Sequence, residues 1–191
     1  QVRHRVLAGQ TIDLSEAERS ELAKLRRLPR SVEARIGADE NRNKVLIESL
    51  LTLDPESTAL VFAASVEHAQ MLAVRLTLEG VPSAAIFGTT PTALRRSAVN
   101  RFKRGELRVL TNYAVFAEGF DAPAVKAVYV ARPTFSPNLY QQMIGRGLRG
   151  PLNGGKEECL IVDIADNVER YGGNLAFHDF DRLWERQEGP A

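Results

Sequence analysis

Short apolar runs alternate with helical patterns from residue 59 onward, and this alternation constrains the fold more than any other feature. The runs predict strands at 59–63, 83–87, 107–111, 127–131 and 158–164. Apolar residues spaced three or four apart predict helices between them, at 67–79, 92–103 and 138–148. Continuously apolar strands are typical of parallel sheets buried on both faces. The sequence therefore predicts a doubly wound α/β sheet, mostly parallel, with helices on both faces.

The chain before residue 58 has a different pattern, which is charged and helical. A capping box formed by Ser15 and Glu18 begins a predicted helix at 15–28, and Pro29 ends it. A second helix is predicted at 39–53. Since the first residue is Gln1, we expect the chain to be a piece of a longer protein.

Composition narrows the classes of function. A formal net charge of +1 provides no overall field that would attract nucleic acid or a membrane. No apolar run approaches the ~20 residues that cross a bilayer, so we expect no membrane partner. The single cysteine, Cys159, excludes an internal disulfide and fits a reducing, cytoplasmic compartment, where we expect it to be a buried small hydrophobe.

One local segment, 92–108, is strongly basic. It carries five arginines and one lysine against one glutamate: Arg95, Arg96, Arg101, Lys103, Arg104, Arg108 and Glu106. The simplest interpretation is a solvated helix face. A nucleic-acid surface is the alternative.

Small and hydroxyl-bearing residues follow several predicted strands. They include Ser65, Gly88, Thr89 and Thr111. In doubly wound sheets, ligands bind at the carboxyl ends of the strands, and such residues let a phosphate approach backbone N–H groups closely. These residues are also common in ordinary βα loops, but their recurrence along one rim favours a phosphate chain lying across it.

The segment AEGFDAP, 117–123, combines a turn with a carboxylate. Gly119 permits a tight turn that can direct Asp121 outward, where a carboxylate can accept hydrogen bonds from ribose hydroxyls. A turn or cap role for Asp121 is the alternative.

The segment QMIGRGLRG, 142–150, places two arginines three residues apart among glycines. Arg146 and Arg149 would share one face of a helix, and the glycines would leave that face open to another surface. A guanidinium group keeps its charge and matches phosphate oxygens with a rigid fork. The arrangement suits a transferring phosphoryl group, although contacts with carbonyls or carboxylates near a helix end would also explain it.

With these motifs in order, the chain resembles the second, carboxy-terminal RecA-like domain of superfamily 2 helicases and translocases. QMIGRGLR matches that family's arginine-finger motif Q-x-x-G-R-x-x-R, and TNYAVFAEGFDAP matches the preceding motif that ends in G-x-D. ALVFAAS resembles the strand and turn that open this domain, and RFKRGELRVLTN resembles its basic helix and next strand. The resemblance covers 58–166.

The resemblance implies roles for individual residues. Arg146 and Arg149 would reach the γ-phosphate of ATP, Gln142 would face the nucleotide, and Gly119 and Asp121 would shape the ribose contact. Ser65, Gly88, Thr89 and Thr111 would touch the phosphates of a nucleic-acid strand. No phosphate-binding G-x-x-x-x-G-K-[ST] loop and no D-E-x-[HD] strand is present, so Mg²⁺ and the ATP phosphates would be held by a first RecA-like domain of the same polypeptide.

The resemblance also suggests a domain organisation and a nucleic-acid partner. We expect 1–57 to be a helical linker from the first motor domain, 58–166 to be the RecA-like domain, and 167–191 to be a tail whose aromatic residues pack on it. Gln142 stands where box-type RNA helicases commonly carry histidine, which favours DNA over RNA and a repair or restriction-type helicase.

Two other functions fit parts of the sequence. The chain could be a non-motor module that binds nucleic acid or a protein, and the sequence upstream would distinguish it from a motor. A free-standing phosphotransferase or hydrolase is disfavoured, because no nucleophile has a paired base and His4, His68 and His178 have no ligand spacing.

Overall fold

The computed structural model describes residues 2–25, 27–115, 125–145, 158–168, 175–177 and 180, with the side chains of 167 and 168 left out. These residues form six strands: β1 (Val2–Ile12), β2 (Ala59–Phe62), β3 (Ser83–Phe87), β4 (Val109–Tyr113), β5 (Ala127–Val130) and β6 (Cys159–Val168). They also form six helices: α1 (Glu16–Leu25), α2 (Arg30–Ala38), α3 (Glu40–Leu51), α4 (Val66–Leu78), α5 (Thr92–Lys103) and α6 (Pro137–Ile144).

All six strands pair in parallel in one sheet, in the order β1-β6-β5-β2-β4-β3. The four central strands are largely apolar, as is usual for strands that are covered on both faces. The predicted parallel α/β sheet is confirmed. Within the described residues, no helix is long and apolar enough to cross a bilayer.

Two cores cover the two faces of the sheet. Alternate residues of β2 separate to opposite faces, with Val61 in the core under α3 and α4 and Phe62 in the core under α5 and α6. A third, smaller core lies between α1, α2 and the end of β1. Helices thus pack on both faces, as the sequence predicts.

Two aromatic residues of the tail pack on the second of these faces. Phe177 is 5% exposed and Phe180 packs against the same core. The packing of the tail as a whole remains a prediction, because most of it, Trp184 included, lies outside the described residues. Cys159 is buried, as predicted, and burial raises the pKa of its thiol to about 11, so the thiol is protonated at neutral pH.

The amino-terminal region differs from the helical segment predicted for 1–57. β1 is a strand that pairs with β6, and α2 is a helix for which the sequence analysis predicted no element. The side chains of β1 are mostly exposed and include several charged residues, so the strand lacks the apolar run used to identify the others. α3 begins at an Asp39 cap and contributes Leu46 and Leu50 to the core on the sheet, so it is an integral part of the packed structure.

Candidate nucleic-acid groove

A groove of about 540 Å³ lies at the carboxyl ends of β2, β3 and β4. These strands are neighbours in the sheet, in the order β2-β4-β3, so the loops that follow them meet at one edge. Ser65, Gly88 and Thr89 all line this groove. Three of the four residues predicted to contact nucleic acid therefore converge on one surface.

Ser65 begins α4 and faces the groove. Its Oγ accepts a hydrogen bond from the His68 backbone N–H over 3.1 Å, in the usual manner of a serine cap. The hydroxyl hydrogen remains available for a ligand. Val66 and Glu67, in the first turn of α4, also line the groove. The positive end of the helix dipole favours an anion here, whereas the Glu67 carboxylate opposes one.

The loop after β3 presents Gly88 and Thr89 to solvent. A Cβ added at Gly88 would meet no atom within 4 Å, so a ligand can approach this backbone closely. The Arg95 side chain holds the loop from behind, with Nη2 donating to the carbonyls of Phe87, Gly88 and Thr90 over 3.2–3.4 Å. Arg95 belongs to the basic segment, and its guanidinium group holds the loop in place.

The other cations of the basic segment fit the solvated-face interpretation in part. Arg101 and Arg104 pair with Glu106, and the guanidinium group of Arg108 donates to the carbonyls of Leu53 and Asp54. These contacts account for three of the charges without a ligand. Phe102 is the buried residue that anchors α5 to the core.

Thr111 is the exception among the predicted contacts. It is fully buried, and its hydroxyl donates to the Ala69 carbonyl in α4 over 2.7 Å. The predicted strand ended at Thr111, whereas β4 continues to Tyr113. Thr111 therefore packs the sheet against α4, and Tyr113 and Ala114 occupy the rim in its place.

Ala114 has a backbone conformation that alanine adopts at a cost. Its φ is 54°, in the left-handed region. This conformation costs a non-glycine residue roughly 1–2 kcal/mol. The chain bends at Ala114, beside the groove. Strained backbone of this kind is often found at functional sites.

A polar cluster closes one wall of the groove. Glu33 of α2 accepts hydrogen bonds from the Tyr113 hydroxyl and from Nη2 of Arg132, each over 2.7 Å. The Arg132 guanidinium lies over the Tyr113 ring, 5.4 Å from its centre. Burial, together with the bond to Glu33, raises the pKa of Tyr113, so its hydroxyl stays protonated and donates.

Sequence reasoning missed this cluster because it depends on α2. The available signals were Pro29 ahead of a possible helix and Val32 and Ile36 spaced four apart. Glu33 pairs with Tyr113, which comes 80 residues later in the chain, and with Arg132, which comes 99 residues later. No local sequence pattern reveals such tertiary contacts.

The predicted nucleotide contacts lie largely outside the described residues. Gly119, Asp121, Arg146 and Arg149 all fall there. Gln142 is described and lies exposed on α6, opposite the buried Tyr140, Met143 and Ile144. Its amide therefore faces away from the core, as a residue that contacts a ligand across a cleft must do. No group of three or more possible metal ligands occurs among the described residues.

The parallel sheet and its strand-end groove define a RecA-like α/β domain, and this class of fold recurs in solved DEAD-box proteins. The E. coli DEAD-box protein SrmB, solved bound to regulator of ribonuclease activity A, superposes with a TM-score of 0.58. The match covers 84% of this chain and 78% of that chain at 19% identity.

Sequence comparison identifies the family. Residues 41–150 match the helicase conserved C-terminal domain family, and the chain belongs to that family. The irc3 protein of Schizosaccharomyces pombe, which is named as a mitochondrial ATP-dependent helicase, is 41% identical over 114 residues. The ATP-dependent RNA helicase DBP3 of Meyerozyma guilliermondii is 31% identical over 138 residues.

The matches cover only part of each protein. They include 60% of this chain and 18% of irc3, and 72% of this chain and 26% of DBP3. The chain thus spans a minor part of the length of these relatives.

Proposed function

We propose that this chain is the second motor domain of an ATP-dependent helicase or translocase that moves along nucleic acid. The observation that carries the proposal is the convergence of Ser65, Gly88 and Thr89, from two separate loops, on one groove of a domain in the helicase family. In this role the groove grips the phosphates of one strand. The loop hydroxyls and backbone amides supply neutral donors, which suit phosphates at any base sequence.

ATP, when bound, supplies the phosphoryl group whose hydrolysis drives movement. We assign Arg146 and Arg149 to the γ-phosphate, Gln142 to the nucleotide, and Gly119 with Asp121 to the ribose. The exposed position of Gln142 on α6 fits this assignment. Mg²⁺ and the remaining phosphate contacts belong to a first RecA-like domain of the same polypeptide. Closing and opening of the two domains would then shift the groove along the strand.

We further propose that the strand is DNA. Support comes from Gln142, which stands where box-type RNA helicases commonly carry histidine. The relatives named as RNA helicases share the same domain, so the groove alone does not favour either polymer. Competition between single-stranded DNA and RNA of equal length and base composition tests this part of the proposal, and preferential binding of RNA would contradict it.

Substitution of Arg149 by lysine tests the motor function in the longer protein that contains this chain. Arg149→Lys keeps the charge but removes the planar fork. An arginine finger contributes ~10³ to 10⁵ in rate, or roughly 4 to 7 kcal/mol of barrier. We therefore expect ATP turnover with saturating DNA to fall at least ~10²-fold, while DNA affinity and the melting temperature stay close to those of the parent.

Arg104→Lys is the matched control, since Arg104 forms an exposed pair with Glu106 and should tolerate the same exchange. Turnover of Arg149→Lys equal to that of the control would contradict the assignment. A lower melting temperature, with activity falling only in step with the folded fraction, would instead indicate a structural role for Arg149.

A further inference from the structure

Tyr113 places an aromatic ring in the groove that sequence analysis did not anticipate. It is half-buried at the end of β4 and lines the same groove as Ser65, Gly88 and Thr89. Because β4 lies between β2 and β3, the ring stands between the two loops assigned to phosphate contacts. A strand whose phosphates touch both loops passes directly beside it.

The polar end of this side chain is already occupied. The hydroxyl donates to Glu33, and Glu33 is itself 5% exposed and neutralised by Arg132. The side chain therefore has no spare donor for a base edge, and what remains for a ligand is the part of the ring that Arg132 does not cover.

The same contacts hold the ring in one orientation. Glu33 fixes the hydroxyl from α2, and the Arg132 guanidinium after β5 lies over the ring. A ring that is already ordered loses little entropy when a flat partner stacks on it. A guanidinium over an aromatic ring also adds a cation–π attraction that stabilises this arrangement.

We propose that Tyr113 is a stacking platform for one base of the bound strand, with Glu33 and Arg132 as its positioning residues. The inference rests on the proposed function and adds a contact to bases, whereas the loops contact phosphates. Every base has a flat aromatic face, so stacking on Tyr113 tolerates any sequence, as a moving motor requires.

The test uses the 191-residue chain and a fluorescein-labelled oligothymidylate at low salt, with binding followed by fluorescence anisotropy. Base stacking on an aromatic side chain predicts that Tyr113→Ala weakens binding about 5- to 150-fold. Tyr113→Phe should lose far less, because it keeps the ring. Both variants lack the hydroxyl bond to Glu33, so a defect caused by losing that bond would appear equally in both.

Two further measurements separate stacking from other effects. On an abasic strand of the same length, Tyr113→Ala and the parent should bind alike, because no base is present to stack. Stacking also releases no counterions, so the salt dependence of Tyr113→Ala should stay parallel to that of the parent. Arg30→Gln is the comparison variant. Arg30 lines the groove without an ion pair to a described residue, so we expect it to contact a phosphate. Its removal should then reduce the slope of log affinity against log salt concentration by about 0.7.

The outcomes distinguish this inference from the proposed function. If the parent binds oligothymidylate and Tyr113→Ala binds equally well, the stacking platform is wrong and the phosphate groove stands. An equal loss on the thymidylate and abasic strands also overturns stacking, because the ring would then act through the protein fold. If the parent binds no strand at low salt, the proposed function of the groove is overturned and the inference goes with it.

Discussion

His68 shows at the scale of one residue how the groove is supported from beneath. Its Nδ1 accepts the Ala64 backbone N–H, and its Nε2 lies 3.0 Å from Oδ1 of Asn43. The first contact requires an unprotonated Nδ1, so the second is a donation from Nε2–H. Burial, with a smaller contribution from Arg42, lowers the pKa of His68 to about 3. A neutral histidine therefore fixes the backbone that leads into the Ser65 cap.

This histidine predicts a pH dependence of stability. Below about pH 6.5 His68 is protonated in the unfolded chain but stays neutral in the folded chain. Folding therefore becomes less favourable as the pH falls toward 3. Its contribution to the free energy of unfolding should fall by about 3 kcal/mol between pH 7 and pH 4. Urea unfolding of the parent and of His68→Gln across this range measures the effect. The variant should be less stable at pH 7, and the difference should shrink as the pH falls; a constant difference would contradict the assigned protonation state.

Sequence reasoning located the groove better than it located individual contacts. Ser65, Gly88 and Thr89 were predictable because a parallel sheet brings the ends of its strands to one edge, whatever the details of packing. Thr111 was misplaced because β4 ends two residues later than predicted, and a shift of that size moves a residue from the rim into the sheet. Tyr113 became a groove residue for the same reason. Strand boundaries depend on tertiary pairing, which the apolar pattern specifies only loosely.

At the scale of elements, a buried ion pair joins α3 to β6. Arg42 and Asp166 are both fully buried, and the guanidinium donates to the two carboxylate oxygens over 2.9 and 2.8 Å. Asp166 also accepts the Gln10 backbone N–H, and Arg42 donates to the Ala131 carbonyl. One pair thus connects a helix to strands β1 and β6 and to the end of β5. Such a tie selects one packing arrangement even when its net contribution to stability is small.

Removal of one partner should be far more costly than removal of both. Arg42→Met leaves Asp166 charged, buried and unpaired, and we expect the free energy of unfolding to fall by about 3–5 kcal/mol. Arg42→Met combined with Asp166→Asn should recover a large part of this loss, because the buried charge is gone. Chemical denaturation of the parent, both single variants and the double variant measures the coupling.

A matched control comes from the exposed Arg75–Glu40 pair, which joins α4 to α3 at 3.3 Å. Arg75→Met should cost no more than about 1 kcal/mol, as is usual for surface pairs. If Arg42→Met costs as little as Arg75→Met, the buried pair does not tie these elements together.

The whole molecule extends beyond the region that defines its family. The family match begins at residue 41, whereas β1, α1 and α2 all precede it. β1 covers the edge of β6, and α2 forms the wall of the groove that holds Tyr113. The division at residue 58 remains a prediction from the sequence. The packing of the earlier elements indicates that they support both the sheet and the candidate site.

Gly9 provides a test of whether β1 is an integral strand of this sheet. It lies where the register between β1 and β6 shifts, and a Cβ added there would come within 2.5 Å of the Ala165 and Asp166 backbone. A backbone cannot yield as a flexible side chain does, so Gly9→Ala must displace β1. Overpacking of this kind typically costs about 1–3 kcal/mol.

We therefore expect Gly9→Ala to lower the melting temperature of the chain and to speed amide exchange in β6, which would keep only β5 as a fully paired neighbour. Gly88→Ala is the control, because its added methyl group meets open space, and it should melt like the parent. Hydrogen exchange followed by mass spectrometry, alongside thermal melts, distinguishes the two. If Gly9→Ala melts and exchanges like Gly88→Ala, β1 is dispensable to the sheet. β1 would then fit the linker predicted for the first 57 residues, while α3 would remain part of the core.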